Sequence, residues 1–246
     1  MVSANERNYI GERSDNFLHA FDGWTLDWNA VFGLGFDSAP ADWVTVYREC
    51  SMDELARIAR EGLTVPSADM RHPDTRREME LLDRFRPRHI MDKGISRLRA
   101  IYAVPTPETP GLPFKRERAI LEMKVDSRQG FVGDMDFITA LIPFIGVRGR
   151  GVEQYHGAFR RYWESVIPLS RFYRNYAKVE TDDGAHWVRK GRASDRLPRT
   201  FFSPEIMLMT PVISKQHVRI IRWEPEAEDN GIREWWNDGE EVWGEV

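Results

Sequence analysis

The side chains able to do chemistry are scattered along this chain, and most fall at spacings that build nothing familiar. His19, His72, His89, His156, His186 and His217 have no metal-ligand spacing, and H-E-x-x-H is absent. Asp134-Met135-Asp136 has the spacing that can hold a hard cation through oxygens, or that closes a strand-end turn. Gly146, Gly149 and Gly151 alternate with Arg148 and Arg150, as an anion-gripping loop or a basic surface turn would. Neither a P-loop nor a G-x-G-x-x-G after a strand is present, and G-x-S-x-G is missing. Cys50 is the only cysteine, so an intramolecular disulfide and a Cys-based zinc site are both excluded. With no His placed beside it, Cys50 reads as a small apolar residue rather than a nucleophile.

Composition narrows the classes further. The chain has 246 residues, 41% apolar and 30% charged, which is globular rather than disordered. That length suits one domain with small extensions. No apolar run reaches the roughly 18 residues of a membrane span, and Met1 to Arg13 has neither signal-peptide nor transit-peptide character. Charge is uneven. From Trp223 to Val246 nine acidic residues face one base, a net of −8, which leaves the rest at +4 within a total of −4. That total argues against a wholesale nucleic-acid coat, while local basic patches remain open. The tail also carries Trp235, Trp236 and Trp243, so it reads as a solvated terminus or as a segment that docks somewhere.

The elements that must position any site follow from pattern. Residues 1–42 read as an aromatic wrapping segment, with a short helix near Leu26 to Phe32. Trp43 to Arg48 is β-branched and aromatic, hence a strand. Ser51 and Glu54 form a capping box for a helix that Gly62 ends. Thr75 to Phe85 predicts an amphipathic helix. Ser96 caps a second helix, Arg97 to Val104, unless Arg99 to Val104 is a strand. Arg118 to Val125 predicts a strand with Ala119, Leu121, Met123 and Val125 on one face. Phe137 to Ile145 should be buried and Phe159 to Ile167 helical. Asp182-Asp183-Gly184 marks a turn within a polar, basic stretch, Phe172 to Arg196. Strands follow at Ile206 to Met209 and Val218 to Ile221, separated by Pro211. Helices early and strands late predict an α+β fold with a mainly antiparallel sheet.

Three short patches, in order, resemble the mono-ADP-ribosyltransferase toxins and effectors. The first is Val46-Tyr47-Arg48-Glu49-Cys50-Ser51 with the helix ending at Gly62. The second is Ser96-Arg97-Leu98-Arg99-Ala100-Ile101-Tyr102-Ala103. The third is Phe202-Ser203-Pro204-Glu205-Ile206-Met207 through Pro211 to Ile221. The resemblance spans 43–223, between the wrapping segment and the acidic tail at 224–246. It implies ADP-ribosyltransferase-like split antiparallel sheets with flanking helices. It implies an enzyme that takes NAD as substrate, needs no metal, and passes ADP-ribose to an acceptor, protein or nucleic acid. In its terms Glu205 is the catalytic carboxylate and Ser96 steadies the site. Arg48 with Tyr47 holds the dinucleotide, and Tyr102 stacks on nicotinamide. A cytoplasmic location, or delivery into a target cell's cytoplasm, and an immunity or partner protein, with no membrane, belong to the same implication. The arginine-modifying members carry Glu two residues before the catalytic one. Here that residue is Ser203, which leaves the acceptor open.

Each residue also has a plain role. Arg48 can pair with Glu49 or Asp53, Ser96 can be an N-cap, Tyr102 can be core, and Glu205 can be a strand-end surface charge. Two further readings of the whole stand beside the resemblance. One is an inactive binding module of the same fold. The other is a nucleic-acid-processing protein using the basic and aromatic residues of 148–176, from Arg148 and Arg150 through Arg160, Arg161, Tyr162, Trp163, Arg171, Phe172, Tyr173 and Arg174 to Tyr176.

Overall fold

In a computed structural model, the described residues are 32–66, 73–107, 118–139, 155–181, 184–190 and 202–224. In chain order they form β1 (Trp43–Ser51), α1 (Met52–Glu61), β2 (Leu63–Thr64), α2 (Pro73–Arg84), α3 (Arg88–Met91), a 3-10 turn (Arg97–Arg99) and β3 (Ile101–Ala103). Then come β4 (Arg118–Asp126), β5 (Gly130–Asp134), α4 (His156–Ser165), β6 (Ile167–Pro168), α5 (Leu169–Asn175), β7 (Tyr176–Thr181) and β8 (Gly184–Arg189). β9 (Pro204–Leu208), β10 (Val212–Ile213) and β11 (Val218–Glu224) close the series. Every strand pair among them is antiparallel. The fold is therefore mixed α and β with antiparallel sheets.

Two sheets carry the architecture, with orders β1-β4-β11 and β3-β9-β5-β6. A single bridge joins them: Tyr47 and Val104 exchange both backbone bonds at 2.8 Å. Across β1, β4 and the first half of β11 the faces alternate, and the β11 register shifts by one residue between Ile220 and Arg222. Val46 faces Met123 and Val218 on the buried side, and Tyr47 faces Glu122 and Arg219 on the other. Across the second sheet Ile101, Ala103, Val132, Ile206 and Leu208 pack with that same buried side, joined by Leu169 and Phe172 of α5. Each of these side chains gains about 1.5–3 kcal/mol on leaving water if fully buried, less for the alanine. The opposite face of β9 and its neighbours carries Met207, which packs with Leu82 of α2 and with Phe159, Tyr162 and Trp163 of α4. Trp163 Nε1 donates to the Leu82 carbonyl at 2.7 Å, which satisfies the buried indole and fixes α4 against α2.

The early elements follow the sequence pattern. Ser51 Oγ accepts from Glu54 N–H at 3.3 Å, as a cap should, but the Glu54 carboxylate turns to arginines instead of back to the cap. In residues 32–42, Gly33 and Gly35 donate to the Lys215 and Gln216 carbonyls, and the Phe36 ring lies under Arg219. Of the two readings after Ser96, the helix Arg97 to Val104 is not there, and the strand alternative corresponds to β3 with the Val104 bridge. Ser96 makes no cap bond, and a three-residue 3-10 turn passes directly into β3. β9 begins at Pro204, two residues earlier than the pattern suggested. Phe172 to Arg189 is the end of α5 followed by the β7–β8 hairpin. The helix near Leu26, residues 140–145, the Gly146 to Gly151 cluster, the turn residues 182–183 and the tail from 225 onward lie outside the described residues. Among the described residues no helix is long and apolar enough to cross a membrane.

Gly62 ends α1 with φ +79°, and a Cβ there would meet the Ile213 carbonyl oxygen at 2.7 Å. Gly157 lies in α4 with nothing within 4 Å of its would-be Cβ. Gly62→Ala should therefore cost about 1–3 kcal/mol in urea unfolding, while Gly157→Ala should add about 0.5–1 kcal/mol.

Candidate active site

Register decides which predicted residues share a face, because directly paired residues of antiparallel strands point the same way. Tyr47 pairs with Val104, and Tyr102 lies two residues from Val104 on the same side. Tyr102 pairs with Met207, and Glu205 lies two residues from Met207. Tyr47, Tyr102 and Glu205 thus share the face that α2 and α4 cover in part. Arg48 points to the opposite face, alongside Val46 and Cys50. The expectation that Arg48 and Glu205 straddle one ligand is corrected by this one-residue offset in β1. Arg48 instead braces its surroundings: Nη1 donates to the Tyr102 carbonyl at 3.1 Å, and Nη2 reaches Glu54 at 2.8 Å. Its pairing is with Glu54, not Glu49 or Asp53.

Glu205 is met by Arg97, a residue from the 3-10 turn. The guanidinium grips the carboxylate with both ends, Nη1 on Oε2 and Nη2 on Oε1 at 3.0 Å. Arg97 is 3% exposed, and the Glu205 side chain is 14% exposed. The Tyr162 hydroxyl donates to Glu205 Oε2 at 2.6 Å and accepts from Arg97 Nη1 at 2.7 Å. The guanidinium carbon lies 5.2 Å from the ring centres of both Tyr102 and Tyr162. The Tyr102 hydroxyl donates to the Arg97 carbonyl at 2.6 Å, so Tyr102 is a wall of the site as well as part of its frame. Burial alone would favour neutral Arg97, but Glu205, with Tyr102, Tyr162 and Glu78 nearby, more than reverses that and holds the cation firmly charged. Burial likewise raises the Tyr162 phenol well above its usual range, so its proton stays in place to be donated.

What holds Arg97 is a second carboxylate. Asp83 of α2 accepts from Ser96 Oγ and, at 2.9 Å, from the Arg97 backbone N–H. Ser96 is buried and serves Arg97 through Asp83, in place of the N-cap role. Tyr162 comes close because β5 has Gly133 opposite Glu205. A Cβ on Gly133 would stand 2.8 Å from the Tyr162 ring. The start of β9 is fixed by Asp134, whose Oδ1 accepts from Ser203 N–H at 3.0 Å and Asp136 N–H at 3.2 Å. The Asp134 to Asp136 pair is thus the strand-end turn, and no metal-holding group of His, Cys, Asp and Glu occurs among the described residues.

The chemistry available is that of a fixed, partly exposed carboxylate. An ionised Glu has about four acceptor positions. Three at Glu205 are used by Arg97 and Tyr162, which leaves one, on Oε1, for a hydroxyl or a developing cation. Glu78 of α2 lies within electrostatic reach of the pair. Burial raises its pKa, Arg97 lowers it, and Glu205 raises it, for a net upward shift. Cys50 is buried, and its thiol is pushed up to about 12, foremost by burial, which removes it as a nucleophile.

Pattern alone missed Arg97, Tyr162, Asp83, Glu78 and Asp134 as a group. The usable signal was the arginine directly after Ser96. Of the basic and aromatic residues of 148–176, Tyr162 and Trp163 on α4 and Phe172 on α5 are fully buried, and Arg160 pairs with Glu164, so these aromatics face the core from two helices. Arg148 and Arg150 lie outside the described residues.

Breaking a buried pair leaves an uncompensated charge. Arg97→Met should therefore cost about 3–5 kcal/mol in urea unfolding, and adding Glu205→Leu should recover much of it. A second test uses Asp134, whose pKa burial raises from 3.8 to about 6. The folded state then binds the proton more tightly than the unfolded chain, so this group's contribution falls as pH rises through that interval. Asp134→Asn keeps both acceptor bonds and should flatten the decline in stability between about pH 4 and pH 6.

Comparison of the chain with protein-family models, with curated proteins and with solved structures found no match.

Proposed function

We propose that this chain is an NAD-dependent mono-ADP-ribosyltransferase-like enzyme of split-sheet fold, with Glu205 as its catalytic carboxylate. One observation carries the reading. The three patches that resemble the family, though far apart along the chain, meet in a single hydrogen-bonded chain: Arg48 to Tyr102, Tyr102 to Arg97, and Arg97 to Glu205. The strand order β1, β3, β9 brings them together.

In this mechanism the bond between the nicotinamide nitrogen and the ribose C1′ breaks. Its electron pair leaves with nicotinamide, which becomes neutral, and positive charge develops on the ribose as in glycoside hydrolysis. Glu205 opposes that charge and accepts a ribose hydroxyl on its free position, while Arg97 and Tyr162 keep the carboxylate from moving. The acceptor then adds to C1′ and loses a proton. Tyr102 supplies an aromatic wall for nicotinamide. Arg48 and Ser96 are positioning residues, one through Tyr102 and the other through Asp83.

The full chain incubated with NAD should release nicotinamide, and NAD should raise the thermal unfolding temperature. Glu205→Gln should lower release by about a hundredfold or more. If the wild-type protein releases no nicotinamide and NAD leaves its unfolding unchanged, the enzymatic reading fails and the binding-module reading takes its place.

A further inference from the structure

A hollow of about 620 Å³ opens between α2, α3 and the 3-10 turn. Its charge is positive on inspection of who pairs with whom. Of its two acids, Glu80 is taken by Arg76 at 2.9 Å, and Asp83 is taken by Ser96, the Arg97 backbone and Arg86. Arg86 is held in place by the Asp83 and Ile95 carbonyls at 2.8 and 2.7 Å. Arg84 and Arg99 are exposed, and neither meets a carboxylate among the described residues. Arg99 makes one bond, to the Gly94 carbonyl at 3.2 Å. Two unneutralised guanidinium groups therefore rim the hollow. Beside them lie Met91, 49% exposed, and Leu98. Beyond α3, Arg88 is matched by Asp92 at 4.0 Å and adds no net charge, while the exposed Lys93 adds one.

We infer that this hollow binds single-stranded nucleic acid, with Arg84 and Arg99 on phosphates and Met91 and Leu98 against a base or sugar. Arginine forks match phosphate oxygens two at a time. An exposed thioether beside them gives a base an apolar surface that a bare anion does not need. For a protein of net charge −4, contact with a polyanion has to run through such a local patch. In the reading proposed above, on which this last step rests, the acceptor of ADP-ribose is then a nucleic acid. The hollow abuts Ser96, one residue before the arginine that holds Glu205.

The test is fluorescence anisotropy of the full chain with labelled oligo-dT and oligo-U of about 12 nucleotides, between about 50 and 200 mM salt. Binding is expected, falling with salt. The double substitution Arg84→Gln, Arg99→Gln should weaken it about tenfold and reduce the slope of log affinity against log salt by about 1.4, with thermal unfolding unchanged. Both positions are exposed; should the pair disturb folding, the single substitutions Arg84→Gln and Arg99→Gln should each weaken binding and reduce the slope by about 0.7, and undiminished binding by both overturns the inference. Absence of binding by the wild type overturns the inference, as does undiminished binding by the glutamine variant. It also falls if a peptide of residues 224–246 displaces the oligonucleotide at lower concentration, since the hollow would then be built for an acidic polypeptide. Nicotinamide release measured on the same proteins separates the two proposals. Arginine-dependent oligonucleotide binding without release leaves the nucleic-acid site standing and removes the NAD reading. Release without such binding does the reverse.

Discussion

The buried pairing of Arg97 with Glu205 is the constraint around which this part of the molecule is arranged. A guanidinium at 3% exposure is tolerable only with its charge matched, and the match comes from a strand 108 residues further along the chain. Everything adjacent serves that demand. Asp83 fixes the turn that presents Arg97, and Tyr162 fills the second acceptor position of Glu205 Oε2. Gly133 makes room for the Tyr162 ring, and Asp134 pins the residue before Pro204. Burying such a pair is seldom the cheapest way to make a fold stable, since apolar residues of similar volume often do as well or better. At the edge of a partly open face, the pair holds the Glu205 carboxylate in one position.

The strand bridge between Tyr47 and Val104 gives the pair its setting. It makes two small sheets continuous, so that one face runs from Glu122 through Tyr47 and Tyr102 to Glu205, while the other is the main core. Arg48 lies on the core side of this divide and still reaches the Tyr102 carbonyl. It couples the register of β1 to that of β3 and, through Glu54, to the first turn of α1. A brace of this kind makes the geometry near Glu205 depend on a residue that does not face it.

Local features were legible because local rules decide them. The alternation of Ala119, Leu121, Met123 and Val125, the Ser51 cap and the stop at Gly62 all depend on neighbours within a turn or a strand. The region after Ser96 was not, because two β3 pairings and one Asp83 carboxylate override the helix that Arg97 to Val104 could form alone. Glu205 was visible as a strand-start acid, and its partner was not: nothing in a sequence says which of many arginines will be carried to it. Tyr162 read as core or as a base-stacking residue, and it is core at its ring and part of the site at its hydroxyl. The opposed facing of Arg48 and Glu205 follows from a single position of register, which pattern cannot fix across non-consecutive strands.

The most direct test of the account is a crystal structure of the Glu205→Gln protein with NAD bound. The account predicts the nicotinamide ribose against residue 205 on the face shared with Tyr47 and Tyr102, its hydroxyl within hydrogen-bond distance of the side chain there. A dinucleotide seated instead on the Arg48 side, away from residue 205, would contradict it.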